Sequence, residues 1–262
     1  MMTFVVPALI IVLIVCAAGV AVARLVFRLP PLAQRQASSA IPLSKETTLG
    51  RFVAEGQVPH PGKSGVTGIP GGRNAIASRI ELARRAEASI DAQYYIWADD
   101  TAGRLLMKAL YEVAQRGVRV RLLLDDNGTE VPDETLAALA AAENFEVRLF
   151  NPSPLRNPKG ASYLFDFFRM NRRMHNKAFI VDGAVAIVGG RNIADEYFQL
   201  DDEGYFIDLD VLAAGAVVPD TAAVFDRYWN SDCAYPADRI AGARDARLPA
   251  WLAGGEDAGA KN

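Results

Sequence analysis

The chain has 262 residues, 51% of them hydrophobic and 23% charged, with a formal net charge of −3. That composition is globular, with enough apolar material for one large domain or two small ones, and it lacks the polybasic footprint of a nucleic-acid binder. Two widely separated cysteines, Cys16 and Cys233, and two histidines, His60 and His175, support neither a disulfide framework nor a clustered zinc site, so no metal and no cofactor is expected.

The chain opens on an exception to that composition. Phe4 to Ala23 carries no charge and is long enough to cross a bilayer core as a helix. Ala21-Val22-Ala23 resembles a signal-peptide cleavage site, but no Lys or Arg precedes the run, and a retained anchor over residues 1–28 is the expectation. Arg24, Arg28 and Arg35 follow it on one side, which predicts a single-pass protein with its globular part in the cytoplasm. Residues 29–72, rich in Pro, Gly and Ser, read as a linker and irregular lead-in.

A folded lobe is predicted over 73–236. Ile76, Ile80 and Ala83 recur at helical spacing, and Ile90 to Trp97 is strand-like. Leu105 to Val113 is an amphipathic helix closed by Gly117, and Val118 to Leu124 is a strand. A helix over Val131 to Ala142 and a strand over Phe145 to Phe150 continue the alternation, which predicts an α/β fold with a mostly parallel sheet covered by helices. Ala161 to Asn171 is crowded with Tyr163, Leu164, Phe165, Phe167, Phe168 and Met170; of two readings, an acyl-chain entrance and an aromatic face packed on the core, the second is preferred. A strand over Tyr205 to Ala213 and a helix near Val217 to Trp229 complete the lobe, and residues 237–262 read as a loosely ordered tail.

The chemistry concentrates in Met174 to Asn192, MHNKAFIVDGAVAIVGGRN. On an extended strand His175 and Lys177 share a face, which sets a nucleophile or proton carrier beside a fixed positive charge. Asp182-Gly183 is a hairpin signal, and Gly189 and Gly190 allow the backbone to approach an oxyanion near the Asn192 amide. Such a set suits attack on a phosphodiester, with Lys177 and Asn192 meeting the charge that grows on phosphorus. The imidazole needs an acceptor to hold its tautomer; Asp208 is the candidate and Asp210 its competitor.

His175-x-Lys177, Asp182 and Gly189-Gly190-x-Asn192 together resemble the HKD motif of the phospholipase D superfamily. Asp91 to Trp97, Arg116 to Asp126 and Gly190 to Phe198 are similar to its bacterial cardiolipin-synthase-like branch. The resemblance runs from about His60 to Pro236. It implies an α/β/α sandwich lobe and metal-independent exchange at phosphorus through a phosphohistidine, in a bacterial inner-membrane protein acting on a phosphatidylglycerol-like phospholipid. By the same resemblance, His175 is the nucleophile or acid, Lys177 and Asn192 contact phosphate, Asp182 is the motif's structural aspartate, and Asp208 is the carboxylate that orients histidine. Gly189 and Gly190 carry over as loop geometry.

Members use two such motifs, and this chain contains one; His60, in Pro59-His60-Pro61-Gly62, reads as a turn residue. The expectation is therefore half of a transfer site, completed by a homodimer or by a separate second-lobe chain. Two other readings stand beside it: a catalytically silent half that binds phosphate headgroups or a partner lobe, and a dimeric phosphodiesterase acting on nucleic acid. Arg156, Lys159, Arg169, Arg172 and Arg173 would serve either polyanion or form a solvated basic face.

Overall fold

The computed structural model describes residues 2–200, 206–242 and 246–252. Its centre is one eight-stranded sheet: β1 (Ser64–Ile69), β2 (Ser89–Tyr94), β3 (Arg119–Asp125), β4 (Phe145–Phe150), β5 (Ala178–Val181), β6 (Val185–Gly189), β7 (Asp210–Gly215) and β8 (Ala234–Pro236), in the order β1-β7-β6-β5-β2-β3-β4-β8. Helices cover it on two sides. Against one lie α3 (Gly72–Arg85), α4 (Thr101–Gln115), α5 (Asp133–Ala140), α7 (Asp195–Phe198) and α9 (Ala237–Ala241); against the other lies α8 (Val217–Trp229). This is the expected α/β/α lobe with a mixed sheet.

The sheet is not mostly parallel, however. Among the described strands only β2–β3 and β3–β4 pair in parallel, where α4 and α5 serve as crossovers; the β5–β6 hairpin, β7, β1 and β8 all join antiparallel. The reason is local. A two-stranded unit joined by a tight turn must run antiparallel, whereas a parallel pair needs a long crossover.

Central strands are apolar on both faces because both are covered. In β3, Val120 and Leu122 pack with α3, α4 and α5, while Leu123 packs with Phe225 and Trp229 of α8. Arg121 is one of several buried polar exceptions, with Asp91 at 2.6 Å and Asp226 at 2.8 Å from its guanidinium and the Phe225 ring 4.8 Å away. Arg148 lies 4.1 Å from the Trp229 ring, and burial pushes its guanidinium down to about 10. α4 starts where the Asp100 carboxylate accepts the Gly103 N–H and closes before Gly117, whose φ of +92° permits the turn.

The segment expected as a linker is fastened to the lobe. Arg35 donates to the main-chain oxygens of Asn230, Ser231 and Ala234, and the Asp226 carboxylate accepts the Ala40 N–H at 2.9 Å. Residues 48–69 then form α2 (Thr48–Gln57) and the edge strand β1. Beyond 236, α9 packs on α5, and Leu252 reaches the core. Tyr205, and residues 243–245 and 253–262 of the tail, lie outside the described residues.

The apolar N-terminal run forms α1 (Met2–Val26), whose stretch Val6–Val26 is not buried against the lobe. It touches the lobe at its C-terminal end, where the Arg24 Nε donates to the Phe165 carbonyl at 2.6 Å and the Phe27 and Phe165 rings stack 5.7 Å apart. Phe165 belongs to α6 (Tyr163–Met170). The preferred reading of this helix, aromatics packed on the core, is only partly right. Phe165 and Met170 are buried, but Leu164 is 82% exposed, Phe167 52% and Phe168 77%.

Candidate active site

Four strand ends meet near the centre of the sheet. β5 begins at Ala178 opposite Val188 of β6 and Gln93 of β2, and β6 ends at Gly189 opposite Asp210, the first residue of β7. His175 and Lys177 lie in the extended approach just before β5 rather than on the strand itself. They nevertheless converge as the alternation predicts. The exposed imidazole meets the Tyr95 ring at 5.0 Å, and the Lys177 ammonium sits 5.6 Å from the same ring while donating to the His175 main-chain oxygen at 2.9 Å. Burial, and then the Lys177 charge, hold the imidazole below its ordinary range. It therefore carries a free lone pair at neutral pH. Burial also lowers the Lys177 ammonium, against the pull of Asp208.

The segment bearing His175 is held from β3, two strands away from β5 in the sheet. Asp125, at the end of β3, accepts the Met174 N–H at 2.8 Å and pairs with Arg173 at 3.0 Å. Burial pushes its carboxyl up to about 6 in spite of Arg173.

The predicted residues divide. Asp208 precedes β7, so strand alternation does not govern it. Its carboxylate lies over Gly190, where any Cβ would strike it, accepts the Leu209 N–H at 2.7 Å, and its charge favours the protonated Lys177. Gly189 is required in the same way beside the Asp210 carboxylate. Asp210 is fully buried, with Arg79 at 2.9 Å and Arg191 at 3.6 Å. Asp182 is the turn residue of the β5–β6 hairpin, with φ of +53°; its carboxylate accepts the N–H groups of Glu87, Ala88 and Ser89. Four strand residues separate it from Lys177, so the structure does not bring it to the imidazole. His60 sits in a turn near Gly215, at the end of β7 away from Asp210, and is not part of the site.

Asn192 is buried and used within the protein: its carbonyl accepts the Ile96 N–H at 3.0 Å and its amide donates to the Tyr197 hydroxyl at 3.0 Å. Burial raises the Tyr197 phenol, so it stays protonated and keeps its own hydrogen to donate. Arg191 clamps the loop by donating to the main-chain oxygens of Ile69, Pro70, Tyr197 and Asp208. Tyr95, Asp125, Arg191 and Tyr197 were not singled out in the sequence. Asp125 had one usable signal, its place at the carboxyl end of a parallel strand, where binding sites gather.

The basic cluster before the motif is mostly internal. Arg156 pairs with Asp126 and Asp133, Lys159 with Asp126, Arg169 with Asp166, and Arg173 with Asp125. Among the described residues no group of three His, Cys, Asp or Glu side chains is placed to hold a metal ion.

Fold and site thus define a histidine–lysine centre at the strand ends of a mixed α/β/α lobe. The family described as cardiolipin synthase, PLD-like domain, matches residues 79–229, and the chain belongs to that family. It is 51% identical over 181 residues to cardiolipin synthase C of Escherichia coli, covering 69% of this chain and 38% of that protein. It is 32% identical to the major cardiolipin synthase ClsA of Bacillus subtilis over 163 residues, 62% of this chain and 32% of the relative. The solved phosphatidylserine synthase of Haemophilus influenzae superposes with a TM-score of 0.49 at 18% identity, over 66% of this chain and 38% of that one. The chain therefore spans well under half the length of these relatives.

Proposed function

We propose that this chain supplies one half of a metal-independent phosphatidyl-transfer centre acting on a phosphatidylglycerol-like lipid at a bacterial inner membrane. The observation that carries the reading is the convergence of His175 and Lys177 on Tyr95, with the imidazole exposed and held toward its neutral form. An imidazole nitrogen attacks phosphorus, the P–O bond to the leaving glycerol breaks, and a P–N bond forms. Lys177 and the Tyr197 hydroxyl, held by Asn192, meet the negative charge that gathers on the phosphoryl oxygens. An acceptor hydroxyl (water, glycerol or a second lipid) then attacks phosphorus and releases His175.

The leaving oxygen needs a proton, and the acceptor later gives one up. His60 is too remote for either task, so a second histidine–lysine half, from another copy or from a separate lobe, supplies that group. α1 spans the membrane: Val6–Val26 is 21 residues, about 31 Å at ~1.5 Å per residue, against a hydrocarbon core of roughly 30 Å. The positive charges of Arg24, Arg28 and Arg35 on one side of the span support a cytoplasmic lobe.

Phosphatidylglycerol turnover by the purified full chain, alone and mixed with its His175→Ala variant, tests this together with a measurement of oligomeric state. Transfer that persists in His175→Ala overturns the mechanism. A monomer without transfer overturns completion by a second copy.

A further inference from the structure

The exposed residues of α6 are unexplained by the lobe. We infer that α6 is a second membrane contact, docking on an anionic bilayer surface with Leu164, Phe167 and Phe168 in the acyl layer and an arginine cleft beside it taking lipid phosphates. This rests on the reading of α1 as a span. The continuity between the two helices is what names the occupant. α1 leaves its apolar stretch at Val26, and Arg24 and Phe27, at that boundary, both contact Phe165 of α6. α6 is therefore held at the level where a spanning α1 would emerge from the membrane.

Its apolar side chains suit that level. Phe167 packs edge-on against Phe168 at 5.8 Å and against Tyr163 at 6.3 Å, giving an aromatic cluster that faces solvent. Exposed apolar groups next to a membrane anchor gain from entering the headgroup–acyl boundary.

The charge is complementary as well. A cleft of about 290 Å³ between the helices is lined by Arg24, Arg28 and Arg169, with Asp166 the one carboxylate. Asp166 engages Arg169 through Nε at 2.6 Å, but the Nη1 of Arg169 is buried without a partner. A buried guanidinium nitrogen without an acceptor is costly, and a phosphate oxygen would satisfy it. The arrangement also bears on the site. Residues 171–175 link α6 to His175, at most about 17 Å of chain at ~3.4 Å per residue.

Depth-dependent quenching tests the inference on the full chain in vesicles of phosphatidylcholine and phosphatidylglycerol, some carrying lipids brominated at shallow or deep acyl positions. Phe168→Trp is expected to lose emission to shallow bromines. Phe52→Trp, equally exposed on α2, is expected to lose none. Leu13→Trp reports separately on α1 through deep bromines. If Leu13→Trp is quenched and Phe168→Trp is not, α6 docking is overturned while the anchor stands; if neither is quenched, both fall. If Phe168→Trp alone is quenched, α6 meets the bilayer without a spanning α1, which overturns the anchor reading and with it α6 as a second contact beside the span. Replacing phosphatidylglycerol with phosphatidylcholine, or Arg28 with Glu, is expected to weaken the shallow quenching. Quenching indifferent to both overturns the phosphate-binding cleft.

Discussion

Two groups of polar side chains lie within a few residues of each other, and they differ in how many partners the protein gives them. At the buried seam between α3, β6 and β7, Arg79 is held by Asp210, the Tyr94 hydroxyl and the Ala75 carbonyl, and Arg191 by main-chain oxygens; in the β5–β6 turn, Asp182 is held by three N–H groups. At the strand ends, the His175 imidazole has one ring contact and, among the described residues, no hydrogen bond. Saturated groups define the shape of the site. The unsaturated ones are left to react.

The largest effect expected from that division is on the seam. Arg79→Ala leaves the fully buried Asp210 carboxylate, whose Oδ1 already lacks a hydrogen-bond partner, with Arg191 at 3.6 Å as its remaining ion pair among the described residues. Removing one member of a buried pair costs about 3–5 kcal/mol. Urea denaturation checks it, and a loss under about 1 kcal/mol would remove Arg79 from the saturated group.

Asp125 is intermediate, since burial outweighs its partners. With its folded carboxyl at about 6 and an ordinary value of 3.8, the folded state binds more protons than the unfolded state between these limits. The stability Asp125 contributes is then full below pH 4 and lost as pH rises through 6, by at most about 3 kcal/mol at ~1.36 kcal/mol per pKa unit. His175 runs in the opposite sense, because its lowered value costs stability as pH falls below 6.5. The clean readout is the difference between wild type and Asp125→Asn, which should shift in favour of the variant as pH rises from 4 to 6.

Asp182→Ala removes the acceptor from the N–H groups at 87–89 and should cost about 2–3 kcal/mol, with Asp182→Asn recovering part of it. Asn tolerates the positive φ and keeps one acceptor oxygen. Thermal melts of the three proteins give the order directly.

These residues also separate what the chain discloses locally from what it does not. Asp182-Gly183 is legible as a turn because a residue pair specifies the backbone there. The start of β7 is misread because Phe206, Ile207 and Leu209 resemble a strand, yet they are exposed and β7 starts only at Asp210. The 35–40 segment has no period to read, since its partners on and after α8 lie nearly two hundred residues away. β1 is hidden for a related reason. All but its last residue are exposed, so no burial pattern is written into it. The aromatic crowding of Ala161 to Asn171 marks an apolar face on α6, but such a face does not state whether it meets a core or something outside it.

The smallest effect on stability is expected at the residue proposed as the nucleophile. His175→Ala deletes an exposed ring whose contact is the Tyr95 face, while the main-chain oxygen that receives the Lys177 ammonium is retained. Its ion-pair and hydrogen-bond environment is therefore nearly unchanged, and the stability difference should stay within ~0.5 kcal/mol. The control that sharpens the comparison is Asn192→Ala, which frees both the Ile96 N–H and the Tyr197 hydroxyl and should cost about 1–2 kcal/mol. Should His175→Ala destabilise as much as Asn192→Ala, the imidazole would belong with the saturated groups, and its exposure would cease to argue for a nucleophile.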